Sequence, residues 1–104
     1  MYLPYHLYGN SFLSNGGSTV ETRVAVISII VENEASTEKL NGILHEYGGY
    51  IIGRMGIPYR ERGVNIISVA MDAPQDVINT MCGRLGRLEG ITSKAAYSNV
   101  ITKN

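Results

Sequence analysis

The sequence contains one cysteine, Cys82, and no apolar run long enough to cross a membrane. One thiol cannot form an intrachain disulfide, and disulfides are the usual mark of a small secreted domain. A membrane span needs about 18 or more apolar residues. The amino terminus also lacks the positive charge and unbroken apolar segment of a signal peptide. We therefore expect a protein of the reducing cytoplasm that has no membrane partner.

The chain also has no excess of positive or negative charge, because nine lysines and arginines balance nine aspartates and glutamates. A domain that binds nucleic acid normally gathers positive charge on one face to contact phosphates, so we expect no nucleic-acid partner. Metal ligands are scarce as well, since His6, His45 and Cys82 are the only histidines and cysteine. These are too few in one chain to close a zinc or nickel site. The sequence predicts no metal and no cofactor.

The length of 104 residues is that of a single domain. Residues 1–20 differ from the rest, because aromatic residues stand there among Gly, Asn and Ser with no charge except that of His6. We interpret residues 1–20 as a flexible or non-native leader and linker, and residues 21–101 as the folded domain. The alternative is that tyrosines of the leader dock on an apolar surface of the domain, since tyrosine suits a half-hydrated contact.

The segment 50–71 is typical of a β-hairpin, in which two apolar runs flank a polar connection at 58–63 with proline and glycine. The second run, 64–71, has no polar face, since both sets of alternating side chains are apolar or small. The run 23–31 is rich in β-branched residues and is likewise apolar on both faces. Both strands are therefore expected to be central in a sheet.

Two helices are predicted between the strands. The first has an apolar stripe between a cap at Ser36 and a left-handed end at Gly48-Gly49. The second begins at a capping aspartate, Asp72, and carries a stripe that includes Cys82. Gly90 closes the second helix, and a more polar final strand follows at 91–97.

The element order β-α-β-β-α-β predicts an α+β fold of the ferredoxin-like type. In this sandwich the antiparallel four-stranded sheet has the order 4-1-3-2, and both helices cover one face. The other face is left bare, yet large exposed apolar patches are rare on soluble monomers. We therefore expect a homo-oligomer, a dimer or a tetramer. The interface is predicted to include Val24, Val26, Val64 and Ile66.

The candidate ligand-binding residues are Asn33, His45, Arg54 and Arg60. A guanidinium fork suits a carboxylate or a phosphate, so the two arginines are the better candidates for a small anionic effector. His45 lies opposite the apolar stripe of its helix, which places it on the surface or at an interface. Beside Arg54, two glycines of the edge strand, Gly53 and Gly56, either mark a bulge or are simply tolerated by a stable oligomer.

No catalytic residue is assigned. Cys82 lies on a buried stripe, where a thiolate is disfavoured. The acidic residues are scattered rather than paired on one element, so general acid–base chemistry has no visible pair.

The segments RMGIPYRERG at 54–63 and GRLGRLEGI at 83–91 resemble the family of iron-only hydrogenase system regulators. These are small bacterial proteins with an ACT-like, ferredoxin-type fold, and the similarity covers about residues 21–98. The resemblance implies a non-enzymatic regulatory or sensor module that acts as a homo-oligomer and binds a small effector or a protein partner. The loop 31–34 lacks the glycine that amino-acid-binding ACT loops use, which argues against an amino-acid ligand. The alternative is a small enzyme whose site lies in an oligomer cleft and uses His45 or an arginine.

Overall fold

The computed structural model describes residues 21–103, and the leader predicted for residues 1–20 lies outside this range. Four strands and two helices follow one another in the predicted order. The strands are β1 (Glu21–Val31), β2 (Ile51–Tyr59), β3 (Val64–Ala73) and β4 (Ile91–Lys103), and the helices are α1 (Thr37–Glu46) and α2 (Gln75–Gly86). Neither helix is long and apolar enough to cross a bilayer.

The strands form one antiparallel sheet in the order β2-β3-β1-β4. The two strands without a polar face, β1 and β3, are the central pair, as the sequence predicted. Ile29 of β1 has Ile67 of β3 on one side and Ser93 of β4 on the other. This α+β arrangement of four antiparallel strands and two helices is consistent with a ferredoxin-like fold.

The core lies between one face of the sheet and both helices. Ile27 of β1, Leu40 of α1 and Ile78 of α2 belong to this one cluster, and none of the three has any exposed surface. Burial of each such side chain contributes roughly 1.5–3 kcal/mol. Because the inward residues of the sheet and the stripes of both helices share one core, the helices cover the same face of the sheet.

The opposite face of the sheet is apolar and is covered by no described residue. Val26, Ile30 and Ile66 project from its centre and are 40%, 43% and 42% exposed. We call this surface the open face. Further exposed apolar side chains on it are Val24, Ile52, Met55, Ile57 and Tyr59.

The start of α2 differs from the prediction. Asp72 remains in β3, opposite Val24 of β1, and the N-cap of α2 is Pro74, whose side chain makes no capping hydrogen bond. The prediction of a capping aspartate was wrong because strand pairing holds Asp72 extended, short of the helix.

A polar network anchors the first turn of α2 to the sheet. Arg23 of β1 donates hydrogen bonds to Gln75 Oε1 and to the carbonyl oxygen of Ser98, both at 3.0 Å. The Arg23 guanidinium also lies 4.7 Å from the centre of the Tyr97 ring, within the range of a cation–π contact. Gln75 completes the network by donating to the Tyr97 hydroxyl at 2.9 Å.

Two glycines with positive φ end the connections before β3 and β4. Gly63 has φ 67° and Gly90 has φ 73°, a conformation that residues with a side chain rarely adopt. The left-handed end predicted at Gly48-Gly49 was wrong, because these residues form a 3-10 turn without a positive φ. The helix α1 instead ends at Glu46, and the N–H of the next residue, Tyr47, donates to the carbonyl oxygen of Ile43 at 3.2 Å.

Candidate functional site

A cavity of about 210 Å³ lies between α1 and the edge strand β2. Its floor is Gly56, which pairs with the inward-facing Ile67 of β3 and has no side chain to fill the space under the helix. We call it the α1–β2 cavity. Its walls are mainly apolar and are lined by Val31, Ile57, Pro58 and Ile67, with polar contributions from Thr37, Asn41, Arg54 and Asn65.

Among residues 21–103, Arg54 is the only charged residue that lines the α1–β2 cavity. Its Nη2 donates a hydrogen bond to Asn41 Oδ1 at 3.2 Å, which orients the guanidinium relative to α1. Among residues 21–103, the only ion pair found joins two other side chains, so Arg54 has no carboxylate partner there. Arg54 Nε and Thr37 Oγ1 are both buried without a hydrogen-bond partner. The cavity wall thus holds one uncompensated positive charge and two unmatched polar atoms.

A bulge in β2 directs Arg54 toward the helices. The register with β3 shifts by one residue between Ile51 and Gly53. Because successive side chains of a strand point to opposite faces, the extra residue returns Arg54 to the same face as Ile51, opposite the buried Val69. The bulge proposed from the two glycines is therefore present at Gly53, whereas Gly56 is paired regularly.

A second, more polar cavity of about 320 Å³ contains Arg60. It adjoins the first, since Val31 and Asn65 line both. Glu32 and Glu34 also line it, and two carboxylates offset the charge of one guanidinium. The two candidate arginines therefore lie in neighbouring cavities that differ in charge.

Asn33 and His45 line neither cavity. Asn33 Oδ1 accepts a hydrogen bond from the N–H of Ala35 at 2.9 Å, which caps the 3-10 turn before α1. His45 is exposed on α1, on the side opposite the buried stripe, as its spacing predicted. The enzyme alternative predicts that His45 and Arg54 line one concave pocket of the assembled oligomer. The two cavities described within a single chain do not bring these residues together.

Three polar residues of the α1–β2 cavity were not predicted from the sequence, namely Thr37, Asn41 and Asn65. Thr37 and Asn41 are four residues apart on α1, a spacing that places side chains on one face of a helix. Asn65 is a polar residue near the start of a mainly apolar strand. These two patterns were the signals that the sequence offered for the cavity. Neither pattern shows that α1 contacts β2, because that contact depends on tertiary packing.

The predicted interface residues lie on the open face. Val24, Val26 and Ile66 are exposed there, and Val64 is half-buried on the same side of β3. A shallow groove of about 250 Å³ runs along this face beside Ile52. The structure thus groups these residues on one continuous surface, separate from the core.

An ion pair on the outer surface connects the two helices. Arg84 Nη1 and Nη2 donate to Glu46 Oε1 and Oε2 at 2.9 and 3.0 Å, a bidentate geometry. These hydrogen bonds lower the pKa of Glu46 and raise that of Arg84. This arginine therefore has a structural partner.

Cys82 packs against the core, and burial raises the pKa of its thiol. A raised thiol pKa disfavours the nucleophilic thiolate. Within residues 21–103, no group of three or more His, Cys, Asp or Glu side chains is arranged to hold a metal ion.

Comparison with known proteins places these features in a family. A model of the TM1266-like family, described as "Iron-only hydrogenase system regulator, putative", matches residues 23–95, a range that includes every residue of the α1–β2 cavity. The solved structure of the uncharacterized protein TM1266 from Thermotoga maritima is 28% identical, with a TM-score of 0.71 over 73% of this chain and 96% of that chain. No match is found among curated proteins. The chain belongs to the TM1266-like family.

Proposed function

We propose that the protein is a non-enzymatic regulatory module of an iron-only hydrogenase system. In this proposal it is a cytoplasmic, ACT-like domain that works as a homo-oligomer and responds to a small effector or a protein partner. Family membership supports the regulatory role. The open face is the observation that supports the homo-oligomer, because apolar side chains of β1, β2 and β3 form one exposed surface there.

The open face has the composition of an interface between copies. Removing apolar surface from water contributes about 25 cal/mol per Å², and stable interfaces bury about 1,200–2,000 Å² in total. The centre of the face contains Ser28 opposite Ser68, whose small side chains allow close approach of a second sheet. Lys94 of the outer strand β4 lies beside Ser28, so the positive charge is at the margin. Two copies would therefore bury the apolar centre and leave the charge hydrated.

The assembly is tested by sedimentation of the purified chain at micromolar concentration. We expect a symmetric oligomer, and a stable monomer across this range would contradict the assembly. The regulatory role is tested in cells that contain an iron-only hydrogenase, by comparing hydrogen evolution with and without the gene for this protein. We expect hydrogen evolution to change when the gene is removed and to return with a plasmid copy. Unchanged hydrogen evolution and hydrogenase transcript would reject the regulatory role.

A further inference from the structure

We propose that the α1–β2 cavity binds a small monocarboxylate with a compact apolar body. This inference deepens the proposed function and rests on it, because it assigns the chemical class of the effector and the place where it binds. It is drawn from the size of the cavity, the charge of its wall and the two polar atoms there that lack partners.

The size of the cavity suits a small molecule. A dry cavity of about 150 Å³ accommodates benzene, so the volume of about 210 Å³ suits a ligand slightly larger than benzene. The walls formed by Val31, Pro58 and Ile67 favour hydrocarbon. An inorganic anion alone would leave these walls without contacts, whereas a branched hydrocarbon chain would fill the space over Gly56.

The charge of the cavity wall favours an anionic head group. Arg54 provides the only charge that the described residues place at this cavity, and its contact with Asn41 leaves other guanidinium N–H groups without an acceptor within that part of the chain. A carboxylate can accept two parallel hydrogen bonds from a guanidinium. The unpartnered Arg54 Nε and Thr37 Oγ1 are the atoms that such an acceptor would satisfy after small side-chain rotations. Buried polar groups are normally paired, so these two atoms would gain from an acceptor at this wall.

The same charge pattern disfavours an amino acid. An α-ammonium group needs acceptors, usually a carboxylate, and no acidic side chain of the structurally described segment lines this cavity. The nearest cavity with acidic residues is the adjoining one, which contains Glu32 and Glu34. A monocarboxylate without an ammonium group therefore matches the α1–β2 cavity better than the corresponding amino acid.

The charge requirement is tested by calorimetric titration of the full chain with 3-methylbutanoate, 3-methylbutanamide and leucine. We expect the carboxylate to bind at least about tenfold more tightly than the neutral amide, because hydrogen bonds to a charged group are the stronger ones. Leucine, with its added ammonium group, is expected to bind more weakly than the carboxylate. Arg54→Gln should remove the preference for the carboxylate over the amide. Equal binding of the carboxylate and the amide, or binding that Arg54→Gln leaves unchanged, would overturn the proposal.

The location is tested by filling the cavity with Gly56→Leu. A Cβ at Gly56 would lie 3.8 Å from its nearest neighbours, Ile66 O and Ile67 Cγ1, which is an ordinary contact. The rest of the leucine would then occupy the cavity, so we expect 3-methylbutanoate binding to be lost while the melting temperature is kept or raised. The matched control is Gly83→Leu on α2, where a Cβ meets nothing within 4 Å, and its binding should equal that of the original chain. Binding that persists in folded Gly56→Leu would overturn the proposed location, and Arg54→Gln provides the independent variant should Gly56→Leu not fold.

Sedimentation of the same samples separates this inference from the proposed assembly. An oligomer that binds no 3-methylbutanoate at millimolar concentration would overturn the ligand site alone. A monomer that binds it with the expected dependence on Arg54 would support the site and contradict the assembly.

Discussion

Ile30 of β1 lies directly opposite Ile66 of β3, and both side chains stand on the open face. Cross-strand pairs of this kind are the unit from which a sheet surface is built. The pair occupies the two central strands, so a second sheet that packs across this part of the open face would contact it. A charge placed at this pair therefore tests the proposed association.

Ile66→Lys is expected to dissociate the proposed oligomer. A lysine at this position would bury an unpaired ammonium in an apolar interface, which costs several kcal/mol. We expect the dissociation constant to rise on the order of a hundredfold, as measured by sedimentation velocity over a dilution series. Ala35→Lys adds the same charge at an exposed position in the turn before α1 and should leave association unchanged. Equal association of both variants would place the interface elsewhere.

Gly90→Ala is expected to lower the free energy of unfolding by roughly 2–4 kcal/mol. Gly90 has a positive φ, and a Cβ there would lie 2.5 Å from Asn33 Cβ and 2.9 Å from Asn33 N, so both backbone strain and a clash oppose the side chain. Gly63→Ala is the matched comparison, because its φ is also positive but nothing lies within 4 Å. The free energy of unfolding of Gly63→Ala should fall by only about 1–2 kcal/mol. Urea denaturation of both variants measures the difference, and equal losses would contradict the contact with Asn33.

The ion pair between Glu46 and Arg84 is expected to stabilise the fold at neutral pH and to lose this effect in acid. Because the folded state lowers the pKa of Glu46, the contribution is fully present above the pKa that the residue has in the unfolded chain. It disappears as the pH falls through the lowered pKa of the folded state. Both groups are on the surface, so the effect should be small and should weaken in high salt.

The measurement is a double-mutant cycle with Glu46→Gln and Arg84→Gln, followed by urea denaturation at neutral and acidic pH. We expect a favourable coupling energy between the two residues at neutral pH that approaches zero in acid. A coupling energy independent of pH would show that the contact does not depend on the charge of Glu46.

Cys82 is expected to react slowly with thiol reagents. Burial raises the pKa of this thiol, and the reactive thiolate is correspondingly rarer at mildly alkaline pH. We expect alkylation by iodoacetamide to be slower in the folded protein than in the same chain unfolded in guanidinium, on the order of tenfold. Equal rates in the two states would mean that the thiol is fully accessible and unperturbed.

The central position of β1 and β3 could be predicted from the sequence because both faces of each strand carry apolar or small side chains. Alternation along the sequence places Ile67, Val69 and Met71 on one side of β3, and all three are buried. It places Ile66 on the other side, where this residue is exposed. The alternation of a strand has a period of two residues, so one correct assignment fixes the direction of the remaining side chains in a regular strand.

The cavity could not be predicted in the same way because it depends on an irregularity. A regular strand would place Arg54 on the opposite side from Ile51, and only the bulge at Gly53 brings it back toward α1. The two glycines left a bulge as one of two interpretations, and they did not indicate what a bulge would do to the next side chain. The hydrogen bond to Asn41 also joins two elements whose relative position follows from core packing.

The extra residue in β2 links the length of this strand to the direction of its later side chains. If the strand kept all its residues but lost the bulge, the Arg54 guanidinium would stand among the isoleucines of the open face and Met55 would enter the space below α1. A one-residue deletion between Ile51 and Arg54 would instead remove the bulge and restore regular alternation, so the guanidinium would stay on the side of α1. Relatives that share the cavity should therefore either keep both the extra residue and the bulge or have lost both together.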